Sequence, residues 1–155
     1  WPLPPMIPQV IAAIGPDAGA AVPKLVEIME LKEGNAPGEI MALATIGDSA
    51  SDAVPILETY IARPRYALHG RAYYALFCIR GDERDLNKMI HHLSADEQKR
   101  LDMVRYLNAL GVKAAPAVDQ VRTMLASDNL AKQKDQLEAF LTKVKDGEGP
   151  TMILQ

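Results

Sequence analysis

The chain is 155 residues long, 48% hydrophobic and 24% charged, a size and composition that suit one folded domain with no low-complexity class to answer for. Its formal charge is −3, with 17 lysines and arginines scattered among 20 aspartates and glutamates, which disfavours a duplex DNA or RNA binder because such proteins gather basic side chains on one face. One cysteine rules out an intrachain disulfide and any multi-cysteine zinc site, and no apolar run approaches the ~18 residues of a membrane span.

Trp1-Pro2-Leu3-Pro4-Pro5 cannot be helical and reads as an extended arm or linker end over residues 1–5. From Met6, apolar residues at Ile7, Val10, Ile11 and Ile14 form the stripe of a helix seated on a core. Gly15-Pro16 ends that helix, the glycine taking up a left-handed conformation at no steric cost. A second helix of about three turns follows, with Val22, Leu25, Val26 and Met29 on one face. Pro23 marks its start, since in the first turn the missing N–H had no partner to lose. Asn35-Ala36-Pro37-Gly38 closes the unit.

The same design then returns at a fixed interval. Gly47, Pro55, Val54, Leu57 and Ile61 rebuild it in a second unit that Pro64 closes. In the third, Arg80-Gly81-Asp82-Glu83-Arg84-Asp85 departs from the pattern, with its glycine two residues late. Ser94-Ala95-Asp96-Glu97 has the spacing of a capping box and opens a helix running to Leu110, which Gly111 ends. A last helix, Leu130 to about Lys145, carries Leu137, Phe140, Leu141 and Val144 on one side and Lys132, Lys134, Asp135, Glu138 and Lys143 elsewhere, as a terminal unit with one wet face should. Residues 147–155 read as a C-terminal tail, with Met152-Ile153-Leu154 an apolar stub after Gly147-Glu148-Gly149-Pro150.

The interval is 32 residues. Ile14, Ile46, Cys78 and Leu110 obey it, as do Val22, Val54, Leu86 and Val118, then Leu25, Leu57, Met89 and Val121, then Met29, Ile61, Leu93 and Leu125. Every member is apolar. A period between 20 and 50 residues marks a unit that cannot bury its own apolar face and must stack on its neighbours. No stretch alternates apolar and polar as a strand would. The expectation is all-α, an α-α superhelix of about four and a half two-helix repeats over residues 6–146, with nine helices and no sheet.

The phrases Ala12-Ala13-Ile14-Gly15-Pro16-Asp17-Ala18-Gly19-Ala20-Ala21-Val22-Pro23 and Ala42-Leu43-Ala44-Thr45-Ile46-Gly47-Asp48-Ser49-Ala50-Ser51-Asp52-Ala53-Val54-Pro55 resemble bacterial HEAT repeats, as does Leu107-Asn108-Ala109-Leu110-Gly111-Val112-Lys113-Ala114-Ala115-Pro116-Ala117-Val118. The resemblance covers about residues 6–145 and implies a HEAT-like solenoid. The spacing also resembles, more loosely, HEAT segments on the C-terminal side of bacterial sulfatases, which implies a module of a larger enzyme. The family serves mostly as protein-binding scaffold, with a few enzymatic and DNA-binding offshoots.

No G-x-S-x-G, P-loop or G-x-G-x-x-G stands in the chain, and no metal site or cofactor is expected. His91-His92 lacks the i, i+4 spacing that chelation from one helix needs. Cys78 sits on an apolar ladder and reads as packing. Tyr74 and Tyr106, 32 apart, read as inter-unit packing, while Tyr60 and Tyr66 flank the Pro64 turn and are candidate binding anchors. Steps of 100° from the buried ladder place Lys24, Glu27 and Leu31 on the opposite side of the second helix, with equivalents Ile56, Thr59 and Arg63, then Lys88, His91 and Ala95, then Gln120, Thr123 and Ser127. In HEAT-like stacks the second helices line the concave surface, so the resemblance makes this row a groove. Its mixed character suits a polar protein contact better than nucleic acid or lipid. The expected function is a non-catalytic protein-binding or scaffold module, holding a protein partner or an adjoining domain of a parent chain. The alternative is an enzyme or DNA-repair-type HEAT protein with its site in the groove.

Overall fold

The structure, a computed structural model, describes residues 7–63, 68–93, 97–126 and 134–151. Among the described residues it is all-helical, with no strand. The α-helical segments are α1 (Ile7–Ile14), α2 (Val22–Leu31), α3 (Pro37–Ile46), α4 (Val54–Ala62), α5 (His69–Arg80), α6 (Glu83–Leu93), α7 (Glu97–Leu110), α8 (Val118–Leu125) and α9 (Lys134–Lys145). The chain divides between Asp85 and Leu86 into two compact units. In the first, α3 packs between α1 and α5, α2 packs on α3 and α4, and α4 packs on α5. In the second, α9 packs on α7 and α8.

The ladder at Leu25, Leu57, Met89 and Val121 is wholly excluded from solvent, 0% exposed at every rung. That is what the 32-residue interval demands of a core position. Val22 and Leu86 are buried and Val54 and Val118 half-buried, as are Ile61 and Leu125 beside buried Met29; the side chain of Leu93 lies outside the described residues. Leu137 and Phe140 of α9 are buried.

The connection between helices differs from the expected short turn in three helix pairs. Instead of a short turn, 3-10 segments Gly15–Ala21, Gly47–Ala53 and Gly111–Ala117 join α1 to α2, α3 to α4 and α7 to α8. The glycines do leave the right-handed region, with φ of 70°, 71° and 54°. At Gly47, ψ is −139°, a conformation only glycine adopts cheaply, and it breaks the helix axis. The chain then winds in 3-10 turns that are kinked at Ala50, φ −97°, and at Ala114, φ −95°, and Ala18, Ala50 and Ala114 are all buried, small enough to let the segments lie against the core. Pro23 and Pro55 fall at the second residue of α2 and α4, inside the first turn.

This geometry also bears on the membrane expectation. The run Pro37–Ala62 is 26 residues long and apolar enough, by length and composition, to cross a membrane, which the expectation from contiguous apolar residues missed. Its axis is broken at Gly47, leaving helices of 10 and 9 residues. Each is ~15 Å long against a hydrocarbon core of ~30 Å. Both pack on α5 in the core of the first unit.

Helix α1 corrects a second expectation. The stripe Ile7, Val10, Ile11 and Ile14 does not face the core; Pro8 and Ala12 do. Pro8 Cβ comes so near Gly38 that a methyl there would lie 3.1 Å from it, so α1 and α3 meet through small residues. The stripe is left half-buried or exposed.

The connection between α5 and α6 is built differently. Helix α5 runs on to Arg80, and Gly81 caps it in the left-handed conformation, φ 65° and ψ 18°, its N–H donating to the Phe77 carbonyl at 2.9 Å. Asp82 then caps α6, its Oδ1 accepting from the Arg84 N–H at 2.9 Å, the bond an N-terminal aspartate makes. Two residues do what seven do elsewhere. Ser94 of the proposed capping pair lies outside the described residues, as do the side chain of Glu97, the first residue of α7, and Pro64, Tyr66 and residues 1–5.

The end of the second unit is closed by residues 147–151. Val112 N–H donates to the Glu148 carbonyl at 2.8 Å, and Thr151 N–H to the Ala109 carbonyl at 2.7 Å, so one of the free carbonyls at the end of α7 is satisfied by this segment. Met152, Ile153 and Leu154 lie outside the described residues.

Candidate functional site

The row on the second helices is built by the same period that builds the core. With Leu25 and Met29 turned inward on α2, positions one residue before, two after and six after Leu25 must turn away. Lys24, Glu27 and Leu31 are exposed, Leu31 at 76%. On α4, Thr59 is exposed and Ile56 half-buried, while Arg63, expected on this helix, is exposed just past its end with extended φ −99° and ψ 108°; on α6, Lys88 and His91 are exposed; on α8, Gln120 and Thr123 are exposed. In the first unit the packing of α2 on α4 brings five of these residues onto neighbouring helices. Ala95 and Ser127 lie outside the described residues.

Four of the polar side chains, Lys24, Glu27, Thr59 and Thr123, are held by bonds within their own helices. Lys24 Nζ reaches both oxygens of Glu27 at 2.7 Å. Thr59 Oγ1 donates to the Ile56 carbonyl at 2.7 Å and Thr123 Oγ1 to the Asp119 carbonyl at 2.9 Å, each hydroxyl folded back on its own helix. The Arg63 carbonyl lies 2.8 Å from His69 Nε2. In the first unit these positions carry Lys24, Arg63 and Glu27, with Leu31 as the bare apolar member; in the second they carry Lys88, His91, Gln120 and Thr123. His91 and His92 meet edge to face with ring centroids 6.5 Å apart. Among the described residues no group of three or more His, Cys, Asp or Glu side chains could hold a metal ion.

Tyr60 is not an anchor. It is buried against the repeat, and its hydroxyl donates to the Met29 carbonyl at 3.2 Å, because α4 packs on α2 and the ring must fill that contact. Tyr74 and Tyr106 are buried as well.

Two buried carboxylates escaped the sequence reading. Glu39 is held by Lys32 Nζ at 2.6 Å across the turn from α2 to α3. Asp85 is 3% exposed and receives Arg80 twice, Nε to Oδ2 at 2.7 Å and Nη2 to Oδ1 at 2.9 Å, while Arg80 Nη1 reaches Glu58 at 2.8 Å. Those bonds, the one to Asp85 first and that to Glu58 second, raise the Arg80 guanidinium further above its ordinary value. Burial, and then the Asp85 charge, push the Tyr73 hydroxyl up. A signal was present: Asp85 stands 32 residues from Ala53 and from Ala117, both buried alanines, so a carboxylate there needs a partner. All three donors of Arg80 that reach these acids are spent on them, which makes the cluster a replacement for the missing 3-10 segment.

Asp82 beside it is held down to about 2, chiefly by the hydrogen bond from the Arg84 side chain and then by the Arg84 N–H. A depressed carboxylate contributes its stabilisation in full above its unfolded value of about 4 and loses it as pH falls through the folded one. In a carbon-13 carboxyl titration Asp82 should therefore titrate near 2, and Arg84→Ala should move its midpoint up toward the ordinary range. An unmoved midpoint in that variant would show that Arg84 is not the cause.

Comparison with known protein families, with characterised proteins and with solved structures finds no match to the chain.

Proposed function

We propose that the chain is a HEAT-like α-α superhelix acting as a non-catalytic protein-binding or scaffold module, which uses the exposed row of its second helices to hold a protein partner or an adjoining domain of a parent chain. The observation that carries this reading is one period serving two faces. The ladder Leu25, Leu57, Met89 and Val121 is dry, and Lys24, Glu27, Leu31, Thr59, Lys88, His91, Gln120 and Thr123 are exposed on the same helices, with Arg63 exposed just past the end of α4. A repeat that spends its apolar residues on stacking leaves its second face to vary, and the variation here is polar with an excess of cations. Such a face steers an acidic protein surface toward it more than it grips apolar pockets.

The test is a charge reversal. Lys24→Glu, Arg63→Glu and Lys88→Glu together should weaken partner capture from a lysate of the source organism by at least about tenfold while the melting temperature stays nearly unchanged, because exposed charges contribute little to folding and much to association. Arg105→Glu with Lys113→Glu, exposed positions off the row, should leave capture intact. Loss of the partner in that second variant, with the first one binding normally, would place the working face elsewhere.

A further inference from the structure

The glycines that end α1, α3 and α7 each lie against the backbone of a later segment. A methyl added at Gly15 would stand 3.9 Å from the Thr45 carbonyl oxygen, and one at Gly47 would stand 3.8 Å from that of Cys78, so the last turns of α3 and α5 hold those places. Both turns are seated in the core, with the next residues, Ile46 and Ile79, buried. Over Gly111 the place is held by Glu148 and Gly149 instead, and more closely, the carbonyl oxygen of Gly149 lying 2.7 Å from an added methyl. Gly111 is itself buried.

Residues 147–151 differ from those helix ends in what secures them. All five are exposed. They hold residues 109–112 by two main-chain bonds, the Val112 N–H to the Glu148 carbonyl at 2.8 Å and the Thr151 N–H to the Ala109 carbonyl at 2.7 Å, in the crossed order of antiparallel chains. Their direction is set at the end of α9. There the Gly147 N–H donates to the Val144 carbonyl at 3.2 Å and the Glu148 N–H to the Lys143 carbonyl at 2.9 Å, the paired bonds that a left-handed glycine makes past a helix end. Two net hydrogen bonds of ordinary strength favour the closed form by about 30-fold, so the segment opens while the helices stay folded.

We propose that residues 147–151 are a latch closed over a docking site, and that this site, Ala109 to Val112, takes an extended segment of a protein partner through its main chain. The present occupant selects the ligand. It is a non-helical piece of chain that offers a carbonyl to the Val112 N–H and an N–H to the Ala109 carbonyl, while its own side chains stay in water. Gly111 lets that main chain come close enough to make both bonds, which a methyl in its place would obstruct. Recognition is of the strand-addition kind, in which main-chain bonds supply the affinity. A partner segment displaces the latch by presenting the same two groups, and Gly147 is the joint on which the latch swings. The site uses none of the second-helix row and does not rest on binding there.

The test uses the whole chain, with nitrogen-15 spectra that read the Val112 amide. Gly147→Val with Thr151→Pro opens the latch without touching the site, since the first forbids the left-handed joint and the second removes the N–H that Ala109 receives. The blocked peptide Asp-Gly-Glu-Gly-Pro-Thr, which is residues 146–151 supplied in trans, should return the Val112 signal of this variant to its parent position. Half-saturation should fall at roughly 0.1 mM, because a short tether is worth a few millimolar and the closed form is favoured about 30-fold. The parent should take the peptide about 30-fold more weakly, its own latch competing. Hydrogen exchange in the parent keeps the proposal open to refutation should the variant misfold: the Val112 and Thr151 amides should be slowed only about 30-fold and be indifferent to ~1 M urea. The proposal is overturned by amides that exchange only with global unfolding, by an opened variant that about 5 mM peptide leaves unshifted, or by a parent chain that binds the peptide as well as the variant does.

Discussion

Leu57→Ala is expected to cost about 2–5 kcal/mol, the range for truncating a dry core leucine and leaving part of the cavity unfilled. Leu57 is wholly buried and sits on α4, which packs on both α2 and α5, so neither neighbour can collapse into the space without losing its own contact. Leu31→Ala is the matched control. It removes the same atoms from a side chain that is 76% exposed, and its cost should stay below about 0.5 kcal/mol. Urea melts of the two variants with equal slopes give the comparison. Equal losses would mean that the inward and outward faces of the second helices have been exchanged.

Gly111→Ala should come next in size, at about 2–4 kcal/mol. A methyl at this position runs into the carbonyl oxygens of Glu148 and Gly149, the second at 2.7 Å, and both are backbone atoms that cannot swing aside. Forcing an alanine to φ near 54° adds the left-handed strain of ~1–2 kcal/mol. Relief comes by expelling residues 147–151, which forfeits the bonds from Val112 to Glu148 and from Thr151 to Ala109 at ~0.5–1.5 kcal/mol each. Gly81 separates the two effects. It has φ of 65° but nothing within 4 Å of an added methyl, so Gly81→Ala should show the strain alone. Hydrogen exchange at the Val112 and Thr151 amides should rise in the first variant and hold in the second. Protection at both amides in Gly111→Ala would show that this segment is not what the glycine makes room for.

What the residues revealed in advance follows from what a period can carry. Spacing of 32 and of 3.6 decides which side chains share a face, so the buried ladder at Leu57 and the exposed row at Lys24 and Thr123 were both legible. Spacing does not say what stands opposite a face. The stripe of α1 is apolar because the repeat is, and only packing shows that Pro8 and Ala12, too small to look like a core, are the ones that meet α3. The third turn was visible as a departure at Arg80-Gly81-Asp82, yet its meaning depends on Glu58, 22 residues away, which arrives only because α4 lies on α5. Residues 147–151 have the composition of a loose end, and their bonds to Ala109 and Val112 come from backbone groups that no side chain announces. Function was the least legible, because a stack of helices is a shape and the same shape serves many tasks.

Photo-cross-linking tests the proposed binding on the second-helix row most directly. A photoreactive amino acid at Thr59 or at Gln120, both exposed on the row, should attach the chain to its protein partner in a lysate of the source organism. The same group at Ser51, exposed in the 3-10 segment before α4, should not. Cross-links from Ser51 with none from Thr59 or Gln120 would contradict the account.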